Sequence, residues 1–164
     1  MTIPAGALPK SLALVRIATG VFFTFFGQYK VFGAAFIDGG FHRYIEGYIQ
    51  QNQAVGFYKV FLATVVLPHT ELFAYVVGWG ELLIGIGLVL GLWVQAASLA
   101  GALHMLSLTL ATWHAPGAGA PLWQYFGAQL GHLPLVFLFV LFFVGEAGQA
   151  WGLDSLFRRQ AKAK

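Results

Sequence analysis

Four ionisable side chains, Arg16, Lys30, Glu81 and His104, interrupt long apolar stretches of this 164-residue sequence. Inside a bilayer such a group costs about 2.5–3.5 kcal/mol or more and normally needs a partner, so it marks a proton or ion pathway, a ligand site or a hydrogen bond between helices. Arg16 and Lys30 can instead extend to the membrane surface. A carboxyl at mid-membrane cannot reach the membrane surface in this way. Glu81 is therefore the strongest candidate for function, followed by His104.

The spacing of these residues puts each of them on a helix face rich in small side chains. In the first apolar stretch the face steps by three or four residues through Arg16, Gly20, Phe23, Gly27, Lys30 and Ala34. The corresponding faces are Ala74, Gly78, Glu81 and Gly85 in the second stretch, and Ala97, Ala100, Gly101, His104, Ser107 and Ala111 in the third. Small residues mark close helix contacts, so we expect these polar groups to point into a helix bundle.

Depth in the membrane can be estimated from a rise of about 1.5 Å per residue, which separates Arg16 from Lys30 by roughly 21 Å. Glu81 and His104 both fall near mid-membrane, and Glu71 lies at the outer start of its helix. Matching the depths predicts three pairs: Arg16 with Glu146, Glu81 with His104, and Lys30 with Glu71.

The composition requires a membrane. Hydrophobic residues make up 59% of the chain and charged residues 9%, against roughly a quarter charged in soluble domains. The mean hydropathy is +0.74. The sequence contains no cysteine, which excludes thiol–disulfide chemistry, iron–sulfur clusters, thiolate zinc sites and covalently attached haem within this chain.

Metal and nucleic-acid binding are not predicted. His69, His114 and His132 are expected near the outer surface, but their spacing matches no metal-ligand motif. The basic run at residues 158–164 is better explained by an anionic lipid surface or by membrane topology than by nucleic acid. The expected partner of this surface is therefore the lipid bilayer.

The apolar stretches predict an all-α fold, a bundle of four transmembrane helices in a single domain over residues 1–164. The spans are expected at residues 11–33, 72–92, 95–113 and 133–151. An interfacial segment at about residues 41–67 separates the first two spans. It is expected to hold an amphipathic helix, then a short apolar and re-entrant helix after Gly56 that ends at Pro68.

The positive-inside rule orients this bundle. Lys10 and the basic residues of the C-terminal run flank the bundle on one side, which is therefore expected to be cytoplasmic. An even number of spans puts both termini there.

The first span carries a recognisable pattern, Arg16-x3-Gly20-x6-Gly27-x2-Lys30-x2-Gly33. It resembles the opening signature of DoxX/DoxD-like membrane proteins. The second span, with Glu71, Gly78, Glu81, Gly85 and Gly91, is similar to the Glu/Gly-rich second span of that family, and the layout of four spans also fits it.

The resemblance implies a role in redox metabolism, because the family includes the DoxD-type membrane subunit of thiosulfate:quinone oxidoreductase. It implies an intramembrane cavity for a quinone, with Arg16, Lys30 and Glu71 as cofactor-binding residues and Glu81 and His104 as the catalytic proton relay. The electrons would come from partner subunits that carry redox centres, since this chain has none. The implied location is a bacterial inner membrane.

Two alternatives remain open at this point. The chain can be a non-catalytic, structural or accessory subunit of a larger membrane complex or of a homo-oligomer. It can also be a small proton-coupled transporter that uses its buried charges as a path, although it lacks broken-helix patterns and an inverted repeat.

Overall fold

The computed structural model describes residues 7–113 and 119–157, and its regular elements are all helices. In chain order they are α1 (Ala7–Phe32), α2 (Phe41–Gln50), α3 (Gly56–Phe61), α4 (Thr70–Leu90), α5 (Val94–Ala111), α6 (Leu122–Gln129) and α7 (Leu133–Val144). Three helical stretches among these residues are long and apolar enough to cross a membrane: Ala7–Phe32, Gly56–Leu90 and Val94–Ala111. The predicted all-α membrane fold is therefore confirmed.

The second of these stretches starts sixteen residues before the predicted span at residue 72. α3 continues through a π-helical turn, Leu62–Val66, and a 3-10 turn, Leu67–His69, directly into α4. Pro68 therefore does not end the helix, contrary to the prediction. Proline is tolerated in membrane helices where local π and 3-10 adjustments accommodate the missing N–H donor. Here Pro68 lies within the 3-10 turn, directly after the π-helical turn.

The predicted fourth span, residues 133–151, is represented by a shorter helix. α7 has 12 residues and ends at Val144, a length of about 18 Å. Two residues later, Glu146 takes a left-handed conformation with φ of 46°. α7 packs along α5, with the ring of Phe139 against Gly101. Among the described residues, length and apolar character thus identify three candidate spans, and the predicted four-span bundle is not confirmed.

Helices α1 and α4 form the tightest contact of the bundle, and they run antiparallel. Gly27 faces the backbone of Leu82, and Gly85 faces the backbone of Thr24, so closely that a Cβ atom at either glycine would overlap main-chain atoms. This contact confirms that the small residues of the two predicted faces lie between helices. It also brings the polar residues of both faces to the interior.

The chain between α1 and α4 packs over one end of the bundle. After a kink at Asp38 and Gly39, where Gly39 has φ of 90°, the amphipathic helix α2 buries Phe41 and Ile45 and exposes Tyr44. The buried side chains of α2 join those of Leu62 and Val66 in one hydrophobic cluster. The predicted interfacial helix thus exists, but residues 57–67 belong to the long helix that follows it.

Candidate functional site

The polar cluster at the centre of the bundle consists of Lys30, Glu81 and His104, one residue from each of the three spanning helices. The Lys30 ammonium Nζ donates a hydrogen bond to Glu81 Oε1 at 2.5 Å. The imidazole Nε2 of His104 lies 2.7 Å from the same Oε1 atom. The predicted pair of Glu81 and His104 therefore forms, and Lys30 joins it.

The arrangement fixes the direction of both hydrogen bonds. An ionised carboxylate paired with a lysine only accepts hydrogen bonds, so His104 donates its Nε2–H to Oε1. The other carboxylate oxygen, Glu81 Oε2, is buried and has no hydrogen-bond partner among the described residues. A buried acceptor without a partner costs about 1–3 kcal/mol or more when charged, so Oε2 is the atom of this cluster with unused capacity for a proton or a ligand donor.

The three side chains differ in their access to the surroundings. The side chain of Glu81 is 5% exposed, whereas those of Lys30 and His104 are 20% and 15% exposed. The Lys30 ammonium also lies 5.2 Å from the centroid of the Phe36 ring, close enough for a cation–π interaction. Phe36 in turn lines a cavity of about 300 Å³ together with Tyr29, Arg43 and Tyr44. The Lys30 ammonium and the His104 imidazole thus lie at the more exposed edge of the cluster, and the Glu81 carboxylate is more deeply buried.

Arg16 occupies a separate site at one end of the bundle, next to Gly91 and Gly152. Its side chain is fully buried, and its guanidinium donates to three backbone carbonyls: Nη1 to Ala147 at 2.7 Å and Ala150 at 3.3 Å, and Nη2 to Trp151 at 3.1 Å. These carbonyls belong to the turns after α7. Arg16 therefore ties the start of α1 to the end of the described chain and does not lie with Lys30, Glu81 and His104.

Asp154 is a polar residue that the sequence analysis did not identify. Its carboxylate accepts hydrogen bonds from the backbone N–H groups of Trp93 (2.8 Å) and Val94 (2.9 Å), which cap the free N-terminus of α5. Trp93 itself is in the left-handed conformation and offers no side-chain cap. The absence of a capping residue before α5 was the only indication in the sequence that a distant residue fills this position.

The predicted pair of Lys30 with Glu71 is wrong, because Lys30 binds Glu81 instead. Glu71 lies in the first turn of α4 with an exposed side chain. It lines a cavity at that end of the bundle with Asp38, His42 and Thr70. The depth estimate failed for Lys30 because α1 is displaced along α4, so that Lys30 contacts Gly78 and faces the middle of α4.

Comparison with known proteins gives one match. A family model described as DoxX matches residues 11–115, well over half of the chain. The chain belongs to the DoxX family. The match includes all but the first four residues of α1 and the whole of α2 to α5, and so all three residues of the central cluster. No curated protein and no solved structure matches the chain.

The histidines of this DoxX-family chain do not form a cluster with acidic residues that could hold a metal ion within residues 7–113 and 119–157. His114 lies outside the described residues. His132 Nδ1 lies 3.2 Å from the Thr112 hydroxyl, which donates its own hydrogen to the Leu108 carbonyl, so His132 is the donor. Burial, and then the nearby His104, lower the pKa of His132.

Proposed function

We propose that this chain is the membrane subunit of a quinone-linked redox complex, and that Lys30, Glu81 and His104 are its proton-handling site. The observation that carries the proposal is the asymmetric use of the Glu81 carboxylate. Both donors bind Oε1, and the buried Oε2 has no partner. An ionisable residue of this kind inside the membrane is a functional site by default.

The residues fit a quinone because of their donor pattern and their exposure. Each quinone carbonyl oxygen is a hydrogen-bond acceptor, and the partly exposed Lys30 ammonium keeps two N–H donors beyond the one that it gives to Glu81. A quinone is also soluble in the bilayer, so it can approach such a site from the lipid. Arg16 is outside this set, because its guanidinium is engaged by three carbonyls at one end of the bundle.

The chemical role of this chain in the proposal is proton transfer to a quinone. A quinone that accepts two electrons also takes up two protons. A protonated Glu81 can give the proton on Oε2 to the reduced quinone, and His104 can then replace it by giving its Nε2 proton to the carboxylate while its Nδ1 takes up another from the exposed side. Lys30 keeps a positive charge next to the position where negative charge develops. In this proposal the electrons come from partner subunits and the complex resides in a bacterial inner membrane. The proposal takes α7 as a fourth, shorter crossing, which puts both termini of the chain in the cytoplasm.

Purification of the protein in native nanodiscs, followed by mass spectrometry of both its proteins and its extracted quinones, tests the proposal. Wild-type protein should retain quinone, and Glu81→Gln should lose most of it. Glu46→Gln is the matched control, since Glu46 is a half-exposed residue of α2 and its variant should retain wild-type quinone. Equal quinone in all three proteins, or none in any, would contradict the proposal.

An accessory role is the second candidate, and one observation favours it. The cluster joins α1, α4 and α5 through a single carboxylate. In this second candidate its whole role is to hold the three helices together. In that case Glu81→Gln reduces the amount of assembled complex, and the turnover of the complexes that do assemble stays at the wild-type value.

A further inference from the structure

The hydroxyl of Ser107 is bound differently from the threonine hydroxyls of the long helices. Several of those threonines donate a hydrogen bond to the backbone carbonyl four residues earlier, as Thr19, Thr24, Thr64 and Thr109 do. This is the common arrangement for a hydroxyl inside a helix. Ser107 of α5 instead pairs with the phenol hydroxyl of Tyr58 on α3. The proposed function uses neither of these two residues.

A second hydrogen bond fixes the position of Tyr58 beside α5. The backbone N–H of Val55, the residue before α3, donates to the carbonyl of Leu110 at 2.9 Å, near the end of α5. The Tyr58 ring also packs against that of Phe61, with the ring centroids 5.4 Å apart. The backbone and the ring together therefore hold the phenol hydroxyl at Ser107.

The hydrogen atoms of this pair lead toward the central cluster. The phenol is the more acidic hydroxyl and so the donor, which leaves the hydrogen of Ser107 free. Ser107 follows His104 by three residues on α5, and side chains at that spacing are neighbours, with about 5–6 Å between their Cβ atoms. Since Nε2 of His104 donates to Glu81, its Nδ1 is an acceptor. Among the described residues, an unused donor and an unused acceptor thus lie one helical turn apart.

The other end of the pair lies next to a polar surface. Gln51 and Asn52, between α2 and α3, are exposed. Lys59, which follows Tyr58, donates a hydrogen bond to the Asn52 side chain at 3.0 Å. Irregular backbone with exposed polar side chains lies outside the hydrocarbon, because lipid tails offer it no hydrogen bonds. Tyr58 is half-buried, so it joins this water-accessible surface to α5.

We propose that Tyr58 and Ser107 form a proton entry path that supplies His104 from the membrane surface. Tyr58 gives its proton to Ser107 and takes one from water. Ser107 passes its own proton to His104 Nδ1 through one bridging water, and the Nε2 proton of His104 moves to the Glu81 carboxylate. One proton enters for each one that arrives, and no electrons are exchanged. The inference rests on the proposed function and adds the route that refills its site.

Removal of the Tyr58 hydroxyl tests the path and keeps the aromatic ring. A rapid drop in pH is applied to the protein in nanodiscs, and time-resolved infrared spectroscopy follows the carboxyl vibration that Glu81→Gln abolishes. Tyr58→Phe should slow the protonation of Glu81 at least about tenfold and leave its final extent unchanged. Tyr75→Phe is the matched control, since Tyr75 lies on α4 with 45% of its side chain exposed, and it should keep the wild-type rate.

Variants of Ser107 test whether both hydroxyls belong to one path. Ser107→Ala should slow protonation as much as Tyr58→Phe does, and the double variant should be no slower than either single variant. Ser98→Ala, at a buried serine of the same helix, should keep the wild-type rate. A wild-type rate in Tyr58→Phe, or a loss in the final extent of protonation without a change in rate, would overturn the inference.

Quinone retention separates this inference from the proposed function. Tyr58→Phe should retain as much quinone as wild type, whereas Glu81→Gln should lose it. Loss of quinone in Glu81→Gln together with a wild-type protonation rate in Tyr58→Phe would remove the entry path and leave the proposed function in place. The absence of any carboxyl vibration that depends on Glu81 would contradict both.

Discussion

At the scale of single residues, the state of Glu81 depends on two neighbours that share one oxygen. Removing the carboxylate charge leaves Lys30 as a cation without a counter-ion inside the bundle. Breaking a buried ion pair from one side is strongly destabilising, whereas replacing both partners is often close to neutral. The cluster can therefore be dissected by comparing single and double variants.

We expect Glu81→Gln to lower the free energy of unfolding by about 3 kcal/mol, at the lower end of the range for buried pairs because Lys30 is partly exposed. The double variant Lys30→Gln/Glu81→Gln should recover most of this loss, since no unpaired charge remains. Thermal unfolding in a mild detergent, followed by circular dichroism, measures both. A double variant less stable than Glu81→Gln alone would show that charge pairing is not what the cluster contributes.

His132 is expected to make stability depend on pH. Its pKa is lowered in the folded protein, mainly by burial and further by His104, whereas the unfolded chain has the ordinary value of about 6.5. Above that pH both states are neutral and the residue has no effect. As the pH falls below about 6.5 the unfolded state binds a proton that the folded state resists, so stability decreases.

Thermal unfolding of wild type and His132→Gln between pH 8 and pH 5 tests this expectation. The wild type should lose more stability than the variant over the acidic half of the range. Parallel curves would mean that His132 does not carry the pH dependence.

The residue scale is also where the sequence was most informative and where its limits were clearest. A mid-membrane glutamate and a histidine on faces of small residues predicted the Glu81–His104 contact correctly. The partner of Lys30 was wrong because depth along a helix says nothing about how far one helix slides past another. Asp154 was missed because its partners, Trp93 and Val94, are sixty residues away in the chain.

At the scale of helices, glycines determine how closely α1 and α4 approach. Gly27 has no space for a Cβ atom against the backbone of Leu82, and main-chain atoms cannot move aside as a flexible side chain can. Gly80, on the same helix as Glu81, has nothing within 4 Å of the position that a Cβ would occupy. The two glycines thus form a matched pair of test sites.

Gly27→Ala should therefore lower stability by about 1–3 kcal/mol through overpacking and should displace Lys30 from Glu81. Gly80→Ala should cause no loss. Thermal unfolding of the two variants measures the difference in stability. If Gly27→Ala is as stable as Gly80→Ala, the close contact between α1 and α4 does not exist as described.

Helix boundaries were less predictable than helix faces. The amphipathic helix expected at the start of the segment at residues 41–67 exists as α2, because amphipathic spacing is a local property. The continuation of the helix through Pro68 was not predictable from local rules, since it depends on π and 3-10 turns that packing stabilises. In the same way, the apolar residues up to 151 suggested a longer fourth helix than α7, which ends at Val144.

At the scale of the whole molecule, two polar sites join the helices of the bundle, and they differ in what their polar atoms bind. The Arg16 site connects the start of α1 to the turns after α7, and all three of its hydrogen bonds end on backbone carbonyls. Its Nε atom, like Glu81 Oε2, is buried without a partner among the described residues, but a guanidinium stays protonated and so cannot exchange a proton with a ligand. The central cluster joins the three spanning helices but leaves one buried carboxylate oxygen without a partner, and we assign function to it for that reason.

Quinone binding by the Lys30→Gln/Glu81→Gln variant tests this central claim most directly. The variant should fold with near wild-type stability, so a loss of binding cannot be attributed to collapse of the bundle. Titration of quinone into nanodiscs that contain wild type, Glu46→Gln or the double variant should show binding to the first two and at least a tenfold weaker affinity for the third. Equal affinity in all three would contradict the assignment and leave the cluster with a structural role alone.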